Sequence, residues 1–578
     1  MKKTFLFLVL FFTVVNTITE SSLNITYSKN FTWAEMRIKE MTLREKIAQM
    51  IITYSDGYYN GDYDNNFKRL RNLIENEKVG GIIFFKGRAL EEAKLINKLQ
   101  ALSETPLLIS QDFERGTAMR LEDGSLYPNN MGIGATRNPD LAYQMGLQIA
   151  KECRALGVHQ NYSPVVDVNN NPLNPIINVR SFGEDPNLVS VMGDAMIRGL
   201  QDGKVLATAK HFPGHGDTDI DTHNDLPEIN NDMNRMNEVE LVPFVSAIKS
   251  GVKSVMVAHI SFPALDKTPF IPATLSPEII NGLLIEKLGF NGLIITDALN
   301  MEGVTKHFNT KEVAVRCVKA GIDLILMPQG ETKTIDAIEN AVKKGDISEE
   351  RIDISVKKIL NAKEWLKLNE NKYINEDEVL NTINNQDAQI LADKIAEESI
   401  TLVRNQNVLP INENNKFNNC LILSMFTGKE PENAQYFYDG IYNNIKSKSG
   451  KSPDIKIIDN DISNPGATYK NISDYDYIII PLFIKVKMKT GTVGMNNSHA
   501  EFIKQLTDVY GKKVVVISFG NPYLLSNFEN VSGYIAAYGD SKSVIDAAIK
   551  SIAGEINPKG KLPVTITDEY KFGYGLIY

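Results

Sequence analysis

The sequence predicts an α/β protein in two parts: an N-terminal (β/α)8 TIM-like barrel followed by an α/β/α sandwich domain. Three observations carry that expectation. From about residue 30 to 365, short apolar runs alternate with helical patterns, which is how a parallel sheet with crossover helices reads. A polar stretch over 369–385 then breaks the pattern, and new apolar runs follow it. At 578 residues the chain is also too long for one core, since domains run to about 100–200 residues and barrels to about 250 or somewhat more.

The elements follow in chain order. Met1-Lys2-Lys3 is basic, 4–15 is almost wholly apolar, and 16–22 is small and polar. This is the layout of a secretory signal peptide, expected over 1–19. The expected mature chain is secreted or periplasmic, with no stable membrane span after signal removal, because the apolar run falls short of the ~20 residues a span needs. No cysteine follows that run, so a lipoprotein attachment site is absent. The barrel is expected over 30–368, with strands at 79–85, 106–110, 158–162, 205–210, 254–257, 292–296 and 322–326 and an eighth around 47–53. Helices are expected between them, as at 139–156, 189–201 and 238–251. A linker is expected over 369–387 and the second domain over 388–578. That domain opens on a helix at 388–403, with strands at 420–425, 455–458, 477–483, 513–519 and 534–537 and helices at 500–510 and 543–553.

Composition narrows the function classes. The chain is 43% hydrophobic and 23% charged, as an ordinary globular protein is, and its net charge of −9 comes with no long basic run. Nucleic acid and anionic membrane are therefore poor candidates for its partner. Cys153, Cys317 and Cys420 fit no metal or redox spacing, are too few for a disulfide framework, and are expected as buried thiols.

The strand ends carry the chemistry. Asp112, Asp167, Lys210-His211, His259 and Asp297 each follow an apolar strand, and such residues gather at the C-terminal mouth of a barrel. The densest signal is Lys210-His211-Phe212-Pro213-Gly214-His215-Gly216-Asp217-Thr218-Asp219-Ile220-Asp221-Thr222-His223, which holds three of the seven histidines. A calcium loop would use Asp217, Asp219, Asp221, Asp225 and Glu228, but Thr222 stands where the turn needs glycine. A zinc site on His211, His215 and His223 lacks both a compact structural spacing and a helical HExxH pair. The third reading is acid/base work by a histidine oriented by a carboxylate. In Asp221-Thr222-His223 a spacing of two lets both side chains point one way on an extended loop. Neither metal nor cofactor is expected. Asp297 ends a buried strand and offers a carboxylate for covalent attack on a sugar, although alone it could equally cap the next helix.

With these residues in view, the chain resembles glycoside hydrolase family 3, and within it the β-N-acetylglucosaminidase branch. The likeness is carried by the Lys210–His223 loop, by Ile295-Thr296-Asp297-Ala298-Leu299-Asn300-Met301, and by Arg180-Ser181-Phe182-Gly183. Asn161-Tyr162-Ser163-Pro164-Val165-Val166-Asp167-Val168, Glu398-Ser399-Ile400-Thr401-Leu402-Val403 and Phe572-Gly573-Tyr574-Gly575 add to it. The resemblance implies a retaining two-step hydrolysis with Asp297 as nucleophile, His223 as acid/base and Asp221 as the partner of that histidine. It implies sugar-binding roles for Asp112, Arg120, Arg180, Lys210 and His211, with Arg180 near the acetamido group. The implied partner is a carbohydrate bearing a terminal β-linked N-acetylglucosamine, on peptidoglycan fragments or chitooligosaccharides. One departure stands out: where the family often has Gly-Gly after Asp-x-Glu, this chain has Arg115-Gly116. With the acid/base on the barrel loop, the second domain is expected to be structural or to shape the leaving-group side. The rivals are a β-glucosidase or β-xylosidase of the same fold and a catalytically silent sugar-binding protein.

Overall fold

The computed structural model describes residues 32–219, 226–411, 419–426, 432–450, 452–458, 472–484, 494–495, 497–528 and 530–578. The signal segment expected over 1–19 lies outside them.

Eight parallel strands form the first unit: β1 Ile51–Ser55, β2 Gly81–Phe84, β3 Leu108–Gln111, β4 Gln160–Asn161, β5 Leu206–Phe212, β6 Ser254–Val257, β7 Leu293–Thr296 and β8 Ile325–Leu326. Each pairs with its sequence neighbour, and β1 also pairs with β8. A bridge between Ile295 and Leu324 brings β7 back to β8, closing the ring. The strands are buried on both faces, so they read as unbroken apolar runs rather than alternating ones. Around them lie amphipathic helices such as Pro139–Leu156, which has Asn138 capping its first turn, proline at its start and Gly157 in the left-handed region beyond its end. The residues expected to open β1 at 47–49 instead finish the helix Leu43–Gln49. The helix expected over 238–251 is divided into Met233–Glu238 and Val242–Lys249.

The second unit is a six-stranded sheet of β9 Thr401–Asn405, β10 Cys420–Phe426, β11 Asp454–Ile458, β12 Tyr477–Phe483, β13 Val514–Ser518 and β14 Gly533–Ala536. Its order is β11-β10-β12-β13-β14-β9, parallel except for β9, which runs antiparallel along one edge. The helix expected over 388–403 ends at Ser399, and its last residues belong to β9. Alternate side chains enter two separate cores. Leu421, Leu423, Ile478, Ile480, Val514 and Val516 face one, with the helix Asn497–Tyr510. Cys420, Ile422, Ile479, Val515 and Ile517 face the other, beneath the helices Glu432–Ser449 and Lys542–Ile552. Helices on both faces make this an α/β/α sandwich.

Barrel residues Met131 and Ala135 pack into the first of those two cores. Hydrogen bonds reinforce the junction: Asn129 Nδ2 donates to Tyr538 O (2.6 Å), Asn169 Nδ2 to Tyr523 Oη (2.9 Å), and Thr565 N to Glu184 (2.7 Å). The stretch expected as a linker holds a helix, Glu376–Thr382, and is tied to the barrel where Lys372 Nζ donates to Ser103 O (2.6 Å) and Asn97 Nδ2 to Ile374 O (3.1 Å). All three cysteines are buried and unpaired. Among the described residues no helix is long and apolar enough to cross a membrane.

Candidate active site

A cavity of about 520 Å³ opens at the C-terminal ends of the barrel strands, within the ~300–1,000 Å³ usual for ligand sites. Six residues singled out in the sequence line it together: Asp112, Arg120, Arg180, Lys210, His211 and Asp297. Asp221 and His223 lie outside the described residues.

The wall built by β3 and β5 is an ion-pair network. Lys210 Nζ lies 2.8 Å from Asp112 Oδ1 and 2.8 Å from Glu114 Oε1. Arg120 Nη2 donates to Asp112 Oδ2 (3.0 Å) while its guanidinium stacks over Phe85. Arg180 grips Glu114 through Nη2 (2.7 Å) and Nε (3.0 Å), the fork geometry that only arginine offers. Burial opposes each of these charges, yet the contacts prevail. Asp112 is held below its usual range by Lys210 and Arg120, and Glu114 well below it by Arg180 and Lys210. Burial likewise works against the Lys210 cation, and its two carboxylates still raise its pKa. The result is a rigid set of charged donors and acceptors at fixed positions. Lys210 keeps a third N–H for a ligand. Glu114, which the strand-end pattern did not single out, is the hub joining Lys210 to Arg180.

The loop after β5 is pinned by Asp167, which follows β4. Its carboxylate accepts from His211 N (3.1 Å) and His215 N (2.7 Å), and its Oδ2 sits 2.7 Å from His211 Nδ1. That contact sets the His211 ring and turns Nε2 away from the carboxylate. The loop passes so close to the chain after β4 that a Cβ on Gly216 would meet Val168 O at 1.7 Å, so glycine is required there. Burial and the neighbouring His211 push the His215 pKa down to about 4, keeping that ring neutral.

Asp297 follows β7, anchored by its N–H to Val257 O (3.0 Å). Its Oδ1 accepts the Ala298 N–H (2.7 Å). Burial raises its pKa, but His211, His259, the Ala298 N–H and Lys210 together bring it below the ordinary value. His259 has its own pKa lowered by burial, and its ring holds the same turn, with Nε2 3.1 Å from Ala298 O and Nδ1 2.8 Å from Thr274 Oγ1. Of the three carboxylates lining the barrel side of the cavity, Asp112 and Glu114 are tied up by cations within 3.0 Å, while Asp297 has no cation bonded to it among the described residues.

The second domain closes the opposite side. Ile484 after β12, Phe519, Gly520 and Asn521 after β13, and Gly539 and Asp540 beyond β14 all line the cavity. The C-terminal strand ends of both sheets thus meet at one space. Asn130 and Asn178 also line it and carried no sequence signal beyond asparagine's tolerance of unusual backbone. Among the described residues, no group of three or more His, Cys, Asp or Glu side chains is arranged to hold a metal ion.

A barrel with ionised groups gathered at its C-terminal mouth and an α/β/α domain closing that mouth has the form of a barrel enzyme with its site at the strand ends. Comparison with known proteins identifies which one: residues 42–362 match the glycosyl hydrolase family 3 N terminal domain and 400–575 its C-terminal domain. The chain belongs to glycosyl hydrolase family 3. It is 29% identical to a protein named β-hexosaminidase A from Pseudoalteromonas piscicida, over 86% of this chain and 91% of that one. A Cellulomonas fimi protein named β-N-acetylglucosaminidase/β-glucosidase is 27% identical over 92% of this chain and 95% of its own. Among solved structures, a family 3 β-N-acetylglucosaminidase from Paenibacillus sp. str. FPU-7 superposes with a TM-score of 0.78 at 31% identity, covering 91% of this chain and 99% of that one.

Proposed function

We propose that the chain is a retaining, exo-acting β-N-acetylhexosaminidase that removes a terminal non-reducing β-linked N-acetylglucosamine, from peptidoglycan fragments or chitooligosaccharides, outside the cytoplasm. The observation that supports the mechanism is the contrast among the cavity-lining barrel carboxylates: Asp112 and Glu114 are bonded to cations, while Asp297, its pKa lowered, has no bonded cation among the described residues.

In the first step Asp297 attacks the anomeric carbon and forms a glycosyl ester, while His223, oriented by Asp221, protonates the departing oxygen. In the second, His223 takes a proton from water, the water oxygen bonds to the anomeric carbon, and Asp297 leaves as carboxylate. Asp112, Arg120, Lys210 and His211 fix the ring through its hydroxyls, and Arg180 stands beside the acetamido pocket. Names given to the relatives support the substrate class.

The test is steady-state hydrolysis of 4-nitrophenyl β-N-acetylglucosaminide against the matching β-glucoside, for the wild type and Asp297→Asn. Wild type should prefer the first substrate, and the activity of Asp297→Asn should fall by several orders of magnitude while N-acetylglucosamine still binds. A preference for the glucoside would favour the β-glucosidase rival. A variant keeping a tenth of normal turnover would remove Asp297 from the nucleophile's role.

A further inference from the structure

Two loops at the barrel mouth meet through exposed rings. The loop from Ala258 to Pro277 follows β6 and the loop from Asp297 to Asn309 follows β7, so both lie at the C-terminal strand ends. The second begins with Asp297, and its Ala298, Asn300 and Met301 line the cavity. Phe270 of the first loop stacks on His307 of the second, with ring centroids 6.2 Å apart and planes 8° from parallel. That spacing is within the ~4.5–7 Å of interacting rings. Neither ring lines the cavity, so the pair stands outside it, past Met301 on the nucleophile's own loop.

A contact that only braced the two loops would bury its rings, and this one does not. Phe270 is 67% exposed, and His307 is exposed as well. Phe270 also holds φ 57°, an outlier for a bulky side chain, and such strain collects at ligand sites. The tip that carries it is fixed on both sides. Asp266 accepts from Thr268 N (2.9 Å) and from Ser276 Oγ (2.6 Å), and Ile271 is buried. The pair therefore presents a rigid, flat apolar face to water. A sugar ring covers such a face with its C–H groups while its hydroxyls stay hydrated.

Position decides which sugar. Ser261, in the Phe270 loop, is bonded to the chain that follows the Lys210–His223 loop: Ile229 N donates to Ser261 O (2.9 Å), and Ser261 N to Pro227 O (3.0 Å). In the mechanism proposed above His223 protonates the departing oxygen, so the Phe270 loop stands on the leaving-group side. We infer that the Phe270–His307 pair is a stacking platform for the second sugar of the leaving group, which favours substrates longer than a disaccharide. The inference rests on the N-acetylhexosaminidase reading above and adds the length of substrate that the site selects.

Phe270→Asn is the informative variant, because asparagine tolerates the left-handed backbone and removes the ring. Wild type and variant are compared on 4-nitrophenyl β-N-acetylglucosaminide, diacetylchitobiose and triacetylchitotriose. On the trisaccharide kcat/KM should fall about two- to tenfold, through KM, as the loss of one ring contact implies. On the other two substrates it should stay unchanged, and the melting temperature should not drop. Phe270→Tyr, which keeps a ring, should match wild type on all three. A trisaccharide rate that does not change, or a loss equally large on the disaccharide or the nitrophenyl glycoside, would overturn the assignment. A wild type with no activity on the nitrophenyl N-acetylglucosaminide would instead refute the underlying reading. Calorimetric titration of triacetylchitotriose into wild type and Phe270→Asn would then test the platform alone, equal affinity overturning it.

Discussion

Lys210→Met offers a sharp test of the ion-pair network, because its effect should change with pH in a direction the geometry dictates. Lys210 is 2% exposed and bridges Asp112 and Glu114, each at 2.8 Å. Breaking a buried pair costs about 3–5 kcal/mol. Each carboxylate here keeps an arginine, so the lower end applies at neutral pH, a loss of about 3 kcal/mol. At roughly 2 °C per kcal/mol for a domain of this size, the melting temperature should fall by about 6 °C. Both carboxylates have depressed pKa values in the folded wild type. Their stabilisation is therefore present above the unfolded-state pKa and lost as pH falls through the folded one. Without Lys210, burial and mutual repulsion raise the folded values, so acid no longer removes stabilisation from this pair but relieves a penalty. The gap between wild type and variant should therefore narrow from pH 7.5 to pH 5. Differential scanning calorimetry at the two pH values measures it. A gap that is constant or wider at pH 5, or a loss under about 1 kcal/mol at pH 7.5, would mean that Lys210 does not hold the two carboxylates as described.

Three further outcomes are expected. His223→Ala should slow disaccharide hydrolysis far more than that of a nitrophenyl glycoside, whose leaving group needs little protonation, and Asp221→Ala should give a weaker version of the same pattern; equal losses on both substrates would point to a structural role for His223. EDTA treatment followed by desalting should leave the rate unchanged, and activity restored by zinc or calcium would contradict this. Burial raises the Glu92 pKa to about 8, despite the bond from Gln111. A folded-state value above the unfolded one means its contribution is present below the unfolded pKa and lost as pH rises through about 8. Wild type should lose melting temperature between pH 5 and pH 8.5, and Glu92→Gln should lose measurably less.

Much of the fold was legible because parallel strands buried on both faces are short apolar runs between helices. The eight barrel strands lie at or beside the expected positions, even β4 and β8, which keep only two ladder residues each. Errors fell where apolar character continues across a boundary. Ile47 and Ala48 are buried helix residues directly before β1, and Ile400, Leu402 and Val403 continue the apolar face of the preceding helix into β9. The antiparallel edge formed by β9 is decided by its partner β14, more than 120 residues away in sequence, which no local pattern can encode. Within the site, the residues visible in the sequence are those that end strands or sit in the Lys210–His223 loop. Glu114, Asn130 and Asn178 were silent because their direction comes from loop geometry and tertiary hydrogen bonds. The second domain was expected to be structural or to shape the leaving-group side, but the residues it brings to the cavity were not visible, since Asn521 and Asp540 gain their meaning only once the two sheets face each other.

Covalent capture of the sugar by Asp297, proposed above, can be tested directly. An activated 5-fluoro analogue of β-N-acetylglucosamine should form the ester quickly and release it slowly, allowing proteolysis and mass spectrometry of the trapped protein. One added glycosyl mass is expected, on the peptide containing Asp297 and at that residue, and none in Asp297→Asn. A label on another carboxylate, with Asp540 the first to examine, or turnover with no trapped intermediate, would contradict it.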